Sequence, residues 1–203
     1  MACGRSQGSK RPAEPGQDKL KDSTVVVAAN RTESYFKLLR GKKFALVANQ
    51  TSVIFTPDPG RDGREKTWVH LSDSLLGAGL GLAKVFAPEH GFRGQVDAGE
   101  KVSDGVDPRT GLPVLSLHGA NRKPTPEQLD GLDLVLFDIQ DVGVRFYTYI
   151  ATLQLVMEAC AEAGIPVVVL DRPNPNIHFV DGPVWRKNTA VFWEKQKSPW
   201  SME

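Results

Sequence analysis

From residue 42 onward the chain sets short, unbroken apolar runs between polar stretches, at 44–48, 82–87, 114–117, 134–137 and 167–170. The runs are continuous rather than alternating, so each predicts a strand buried on both faces. Helical patterns fall between them. "TWVHLSDSLLGAG" predicts one helix, and "TPEQL" offers Thr125 as N-cap, Pro126 at the first helical position and Glu127 in the first turn. The longest predicted helix runs over about 146–163 and puts Ile150, Leu153, Val156, Met157 and Cys160 on one face. Gly164 ends that helix before Pro166 opens the next strand. Strand alternating with helix predicts an α/β fold: a Rossmann-like, doubly wound, mainly parallel sheet in three αβα layers.

Ligands of such sheets sit beyond the carboxyl ends of the strands. The residues that follow the five runs are Asn49-Gln50, Pro88-Glu89-His90, His118, Asp138-Ile139-Gln140-Asp141 and Asp171-Arg172. Every run therefore exits into polar or ionisable side chains, as a constructed site requires, although a solvated loop is polar too.

Composition narrows the class. The 203 residues are 40% hydrophobic with a formal net charge of +1, enough for one core and no argument for a nucleic-acid partner. No run approaches the roughly 18 apolar residues of a membrane span. The two cysteines, Cys3 and Cys160, suggest neither a disulfide framework nor a zinc site, and no other pattern points to a metal or cofactor. Residues 1–23, rich in Gly, Ser, Pro and Lys, read as a flexible leader ahead of a domain over 24–184. "MAC" at its start resembles the end of a bacterial lipoprotein signal, with Cys3 as a possible lipid anchor and a periplasmic location; without a preceding signal the location would be cytoplasmic.

The densest chemistry lies in "FAPEHGFRGQVDAGEKV". Glu89 stands at a strand exit among Phe86, Pro88 and Phe92, where partial desolvation suits a general acid, and Gly91, Gly94 and Gly99 let the backbone pass close to a ligand. Pairing of Glu89 with Arg93 is the competing reading, and an orienting hydrogen bond is the expectation for His90. "FDIQDVGVRFYTY" supplies Asp138 and Asp141 as candidate partner carboxylates, Arg145 as a clamp, and Tyr147 and Tyr149 as sugar-stacking rings. Asp141 and Arg145, four apart, also suit a structural pair. The glycines of "GAGLGLA" precede their strand, where a dinucleotide fingerprint must follow it, and no P-loop, His-Glu-x-x-His or Gly-x-Ser-x-Gly motif occurs.

Together "VANQTSV", "FAPEHGFRGQVDAGEKV", "TGLPVLSLHG", "RKPTPEQL", "DLVLFDIQDVGVRFYTYIATL" and "VVVLDRPNPN" with "VDGPV" resemble the bacterial exo-β-N-acetylmuramidase (NamZ) family over about 42–184. The resemblance implies a cofactor-free glycosidase that removes terminal N-acetylmuramic acid from peptidoglycan fragments, using a Rossmann-like N-terminal domain and a smaller C-terminal one. It implies Glu89 as general acid, with Asp138 and Asp141 as the accompanying carboxylates. Asn49, Gln50, His90, Gln140, Tyr147, Tyr149 and Asp171 are then candidate sugar contacts. Arg93, Lys123, Arg145 or Arg172 would meet the lactyl carboxylate. The motifs fade after 184, so the family's C-terminal domain is expected to be missing and 185–203 is read as an atypical tail. A non-catalytic sugar-binding fragment is the alternative function, and a transferase or reductase on the same scaffold a third.

Overall fold

The computed structural model describes residues 25–57, 66–94, 103–144 and 146–182. The leader with Cys3, the residues Asp97, Gly99, Glu100 and Lys101, Arg145, and the tail from 185 lie outside the described residues.

The element order is α1 (Thr32–Leu39), β1 (Lys43–Ala48), β2 (Val53–Pro57), β3 (Lys66–His70), α2 (Leu71–Gly77), β4 (Gly81–Ala87), β5 (Gly105–Val106), β6 (Pro113–Ser116), α3 (Pro126–Leu129), β7 (Leu134–Asp138), α4 (Tyr149–Ala163) and β8 (Val167–Val169). Six strands form one sheet in the order β5-β6-β4-β1-β7-β8. All pair in parallel except β5, a two-residue edge strand antiparallel to β6. Along the chain the parallel strands count third, second, first, fourth, fifth across the sheet, the doubly wound order of a Rossmann-like fold. The order reverses between β1 and β7, so the crevice of the fold opens beyond Ala48 and Asp138, which face each other in register.

Both faces of β1 are covered, which explains its unbroken apolarity. Phe44, Leu46 and Ala48 pack with Tyr35 and Leu39 of α1 and Leu71 and Leu75 of α2. Ala45 and Val47 pack on the other side with Leu129 of α3 and Val156, Ala159 and Cys160 of α4. Fully burying each such branched or aromatic side chain contributes about 1.5–3 kcal/mol. The helix ends carry their expected chemistry. Thr125 caps α3 in a reciprocal capping box with Gln128, and Gly164 ends α4 in the left-handed conformation at φ 70°.

Three expectations change. "TWVHLSDSLLGAG" is a strand and then a helix: β3 pairs antiparallel with β2, and His70 caps α2 by accepting from the Ser72 amide. Trp68 and Val69 are both exposed, so β3 lacks the alternation that would have marked it. The buried stripe of α4 is Tyr149, Thr152, Val156, Ala159 and Cys160, while Ile150 and Met157 face solvent. Val156 and Cys160 of the expected face are buried and Leu153 packs against the same core, so the buried face is rotated from the expected one rather than opposite to it. Residues 32–39, which carried no assignment, form α1.

Candidate active site

Three loops converge at the switch point. The first follows β1. Asn49 is fully buried, and its Oδ1 accepts from the backbone N and the hydroxyl of Thr51 at 2.8 and 2.6 Å. The Gln140 amide in turn donates to Thr51 Oγ1 at 3.0 Å, and Ser52 Oγ donates to the Asp138 carbonyl, so the loops after β1 and β7 are stitched together. His70 Nε2 donates to the Asn49 carbonyl at 3.0 Å, and its Nδ1 accepts from the Ser72 amide. Burial pushes the His70 imidazole below its ordinary range, and the Ser72 amide, by donating to Nδ1, leaves the ring proton on Nε2.

The second loop follows β4. Pro88 and Gly91 close a turn, and His90 stands at its corner with φ 70°, a conformation that costs a non-glycine residue about 1–2 kcal/mol. Strain of this kind persists where surrounding contacts over-determine it, commonly at binding sites. Beyond it Arg93 makes a two-point pair with Asp107 at 2.8 and 2.7 Å and reaches Asp73 at 3.0 Å, while its guanidinium lies 4.9 Å from the Phe92 ring centre. Arg93 holds the Asp107 carboxyl down at about 2. The competing pairing of Glu89 with Arg93 is therefore replaced: Arg93 anchors the loop to two aspartates and leaves Glu89 to another partner.

That partner comes from the third loop. Thr148, at the N-cap position of α4, makes no capping bond; its hydroxyl donates instead to Glu89 Oε2 at 3.1 Å. Behind it Tyr149 is buried, and its ring packs edge-on against Tyr147 with centres 5.0 Å apart. Burial pushes the Tyr149 hydroxyl up to about 12; the Asn49 amide beside it pulls the other way, and Tyr147, Glu89 and Asp141 raise it further. Asn49, Glu89, Asp141 and Tyr147 are thus all near enough to the Tyr149 hydroxyl to act on it electrostatically. Asp141 Oδ2 is buried there without a partner among the described residues, and Asn49 Nδ2, short of a well-formed hydrogen bond, has the Tyr149 hydroxyl as its neighbour. The other Asp141 oxygen accepts from the Gly143 amide at 2.7 Å.

Other expected residues have internal duties. Asp138 is fully buried, and both its oxygens accept from Arg172 at 2.6 and 2.9 Å; burial pushes its carboxyl up against the pull of that guanidinium. The pair is closed to a sugar, which removes Asp138 as a catalytic carboxylate and Arg172 as a carboxylate clamp. Lys123 is held by Glu158 and Glu162 at 2.9 and 2.8 Å, in the C-terminal half of α4 and so away from the strand exits. Gln140 Nε2 ties the Asp141 and Pro173 carbonyls together, and the Asp171 carbonyl receives the Ala28 amide. Gln50 is exposed and lies under Gly94, where a Cβ would meet its side chain at 3.0 Å. Thr148, Thr51 and His70 were not anticipated. Only the side-chain hydrogen-bonding capacity of Thr51, two residues after Asn49, left any trace in the sequence.

The strand order defines a Rossmann-like α/β domain, with Glu89 and Asp141 in the loops that follow β4 and β7 beside its topological switch point. The family model for the N-terminal region of the exo-β-N-acetylmuramidase NamZ matches residues 44–202, and the chain belongs to that family. The match runs through the segment after 184 where the motifs were expected to fade. The chain is 43% identical over 161 residues to the peptidoglycan β-N-acetylmuramidase NamZ of Bacillus subtilis strain 168, covering 78% of this chain and 36% of that protein. Two crystal structures of DUF1343 family proteins from Bacteroides fragilis NCTC 9343 share the fold. One has a TM-score of 0.61 at 40% identity over 73% of this chain and 35% of its own. The other has a TM-score of 0.63 at 37% identity over 82% and 40%. The chain thus spans little more than a third of the curated relative's length.

Proposed function

We propose that this domain carries the acid side of a glycosidase site that releases terminal β-linked N-acetylmuramic acid from peptidoglycan fragments. Glu89 is the general acid, and an extracytoplasmic setting, where such fragments arise, is part of the proposal. The observation that carries it is the 3.1 Å bond from Thr148 to Glu89 Oε2 at the end of β4. That bond fixes one carboxyl oxygen and leaves Oε1 to face a glycosidic oxygen. As the bond from the anomeric carbon to that oxygen breaks, the proton on Oε1 passes to the leaving group, which departs as a neutral alcohol; a water oxygen bonds the anomeric carbon in its place, and the proton that water gives up restores the acid. Tyr147 offers a half-buried ring against which a sugar face can pack. Membership of the family and 43% identity to a peptidoglycan β-N-acetylmuramidase support the substrate class.

The test is release of N-acetylmuramic acid from a β-linked disaccharide whose leaving group is a sugar hydroxyl, by the 203-residue chain and by Glu89→Gln. The variant should turn over about 10²- to 10⁴-fold more slowly with an unchanged melting temperature. Equal release by both removes Glu89 from the mechanism. No release by either, with saturable binding of N-acetylmuramic acid, makes the domain a sugar-binding module.

A further inference from the structure

Resting on that reading, we propose that Asp107 is a positioning residue for the reaction: through Arg93 it fixes the far end of the turn that carries Glu89. The near end of that turn is β4 itself, where Phe86 and Ala87 are fully buried and the Ala87 carbonyl accepts from the Leu117 amide at 2.8 Å. Glu89 and His90 are the two central residues of the turn, which the Gly91 amide closes by donating to the Pro88 carbonyl at 3.0 Å. His90 stands in its third position at φ 70°, where glycine is the usual residue. A strained corner of this kind lasts only while both ends are held, and relaxation of His90 would swing the neighbouring Glu89.

The far end has no backbone support of its own. Among the described residues, no backbone–backbone hydrogen bond ties 92–94 to the rest of the domain, so two side chains do the holding. The buried Phe92 ring meets His70 edge-on with centres 4.8 Å apart, and Arg93 makes its two-point pair with Asp107 and a single contact with Asp73. Asp107 is the firmer anchor of the two acids, with a side chain 2% exposed against 13% for Asp73. It is itself fixed in the turn between β5 and β6: its amide donates to the Leu112 carbonyl at 2.9 Å, and the Thr110 amide and hydroxyl donate to its Oδ2 at 3.1 and 2.5 Å. Arg93 and Thr110 together occupy both carboxylate oxygens, so Asp107 acts through Arg93 and not on a sugar. The planar fork of Arg93 makes the grip directional as well as strong.

The experiment compares two β-glycosides of N-acetylmuramic acid that differ only in leaving group: the disaccharide, whose sugar oxygen must be protonated as it departs, and the 4-nitrophenyl glycoside, whose phenolate departs unaided. A displaced acid harms the first and spares the second, whereas a general loosening of the domain harms both alike. Asp107→Asn should lower kcat/KM about 10-fold on the disaccharide and about 3-fold or less on the 4-nitrophenyl glycoside. Arg93→Lys, which keeps the charge and gives up the second contact, should separate the two substrates in the same direction. In the Glu89→Gln background, Asp107→Asn should cost the disaccharide no more than about 2-fold further, because the group it positions is gone. Equal fractional losses on the two substrates, a full further loss in the Glu89→Gln background, or no loss in either variant overturns this proposal and leaves the role of Glu89 standing. Should Asp107→Asn alone fail to melt cooperatively, Arg93→Lys decides; failure of both to melt cooperatively makes the clamp a requirement of the fold and overturns the proposal. A Glu89→Gln protein that does not itself separate the two substrates, or no release of either by the parent chain, overturns the reading of the site and this proposal with it.

Discussion

At the scale of single residues, the geometry turns on which side chains have been relieved of structural duty. Arg93, Arg172 and Lys123 are each satisfied by acids of the same domain, whereas among the described residues the partner of Glu89 is a neutral hydroxyl, that of Thr148. Thr148 acts as a positioning residue, and its own test separates orientation from folding. Thr148→Val keeps the shape and removes the donor; kcat should fall about 10-fold, as for one hydrogen bond between neutral groups, with KM and melting temperature little changed. Thr148→Ser should restore most of the rate. A Thr148→Val enzyme of full activity would show that the Glu89 carboxyl is oriented by something else. Sequence reasoning reached the positions of Glu89, Asn49 and Asp141 because strand exits can be read from apolar runs, whereas Tyr149, expected to stack on a sugar, has its ring buried in the core. It could not rank the cations, because whether an arginine is free depends on acids far along the chain, such as Asp107 for Arg93 and Asp138 for Arg172.

At the scale of elements, five parallel strands and the α3 and α4 helices were legible because each is locally consistent: unbroken apolar runs, a capping box at Thr125, a left-handed glycine at 164. The β2-β3 hairpin was not, since β3 exposes both Trp68 and Val69 and passes straight into α2. The face of α4 was misread because Thr152 and Ala159 do the packing that larger residues were expected to do. The elements bordering the crevice are clamped by the buried Asp138–Arg172 pair, which also reaches the Val53 carbonyl at 3.0 Å. Arg172→Met should destabilise the domain by about 3–5 kcal/mol, measured by urea unfolding, because it leaves a buried carboxylate uncompensated. Adding Asp138→Leu should recover a good part of that loss. A single variant as stable as the parent would mean that the pair is not what holds β7 to the segment after β8.

At the scale of the molecule, the doubly wound order places the end of β4 next to the switch point between β1 and β7, and all the candidate chemistry falls there. Helices on both sides bury the sheet and free its carboxyl edge for a ligand. The central claim is that one N-acetylated sugar occupies this edge with its glycosidic oxygen at Glu89. A crystal of the domain soaked with N-acetylmuramic acid tests it most directly. The account predicts a sugar beyond the ends of β1, β4 and β7, its anomeric oxygen about 3 Å from Glu89 Oε1. A sugar bound elsewhere on the domain, with Glu89 turned away from its anomeric carbon, would contradict it.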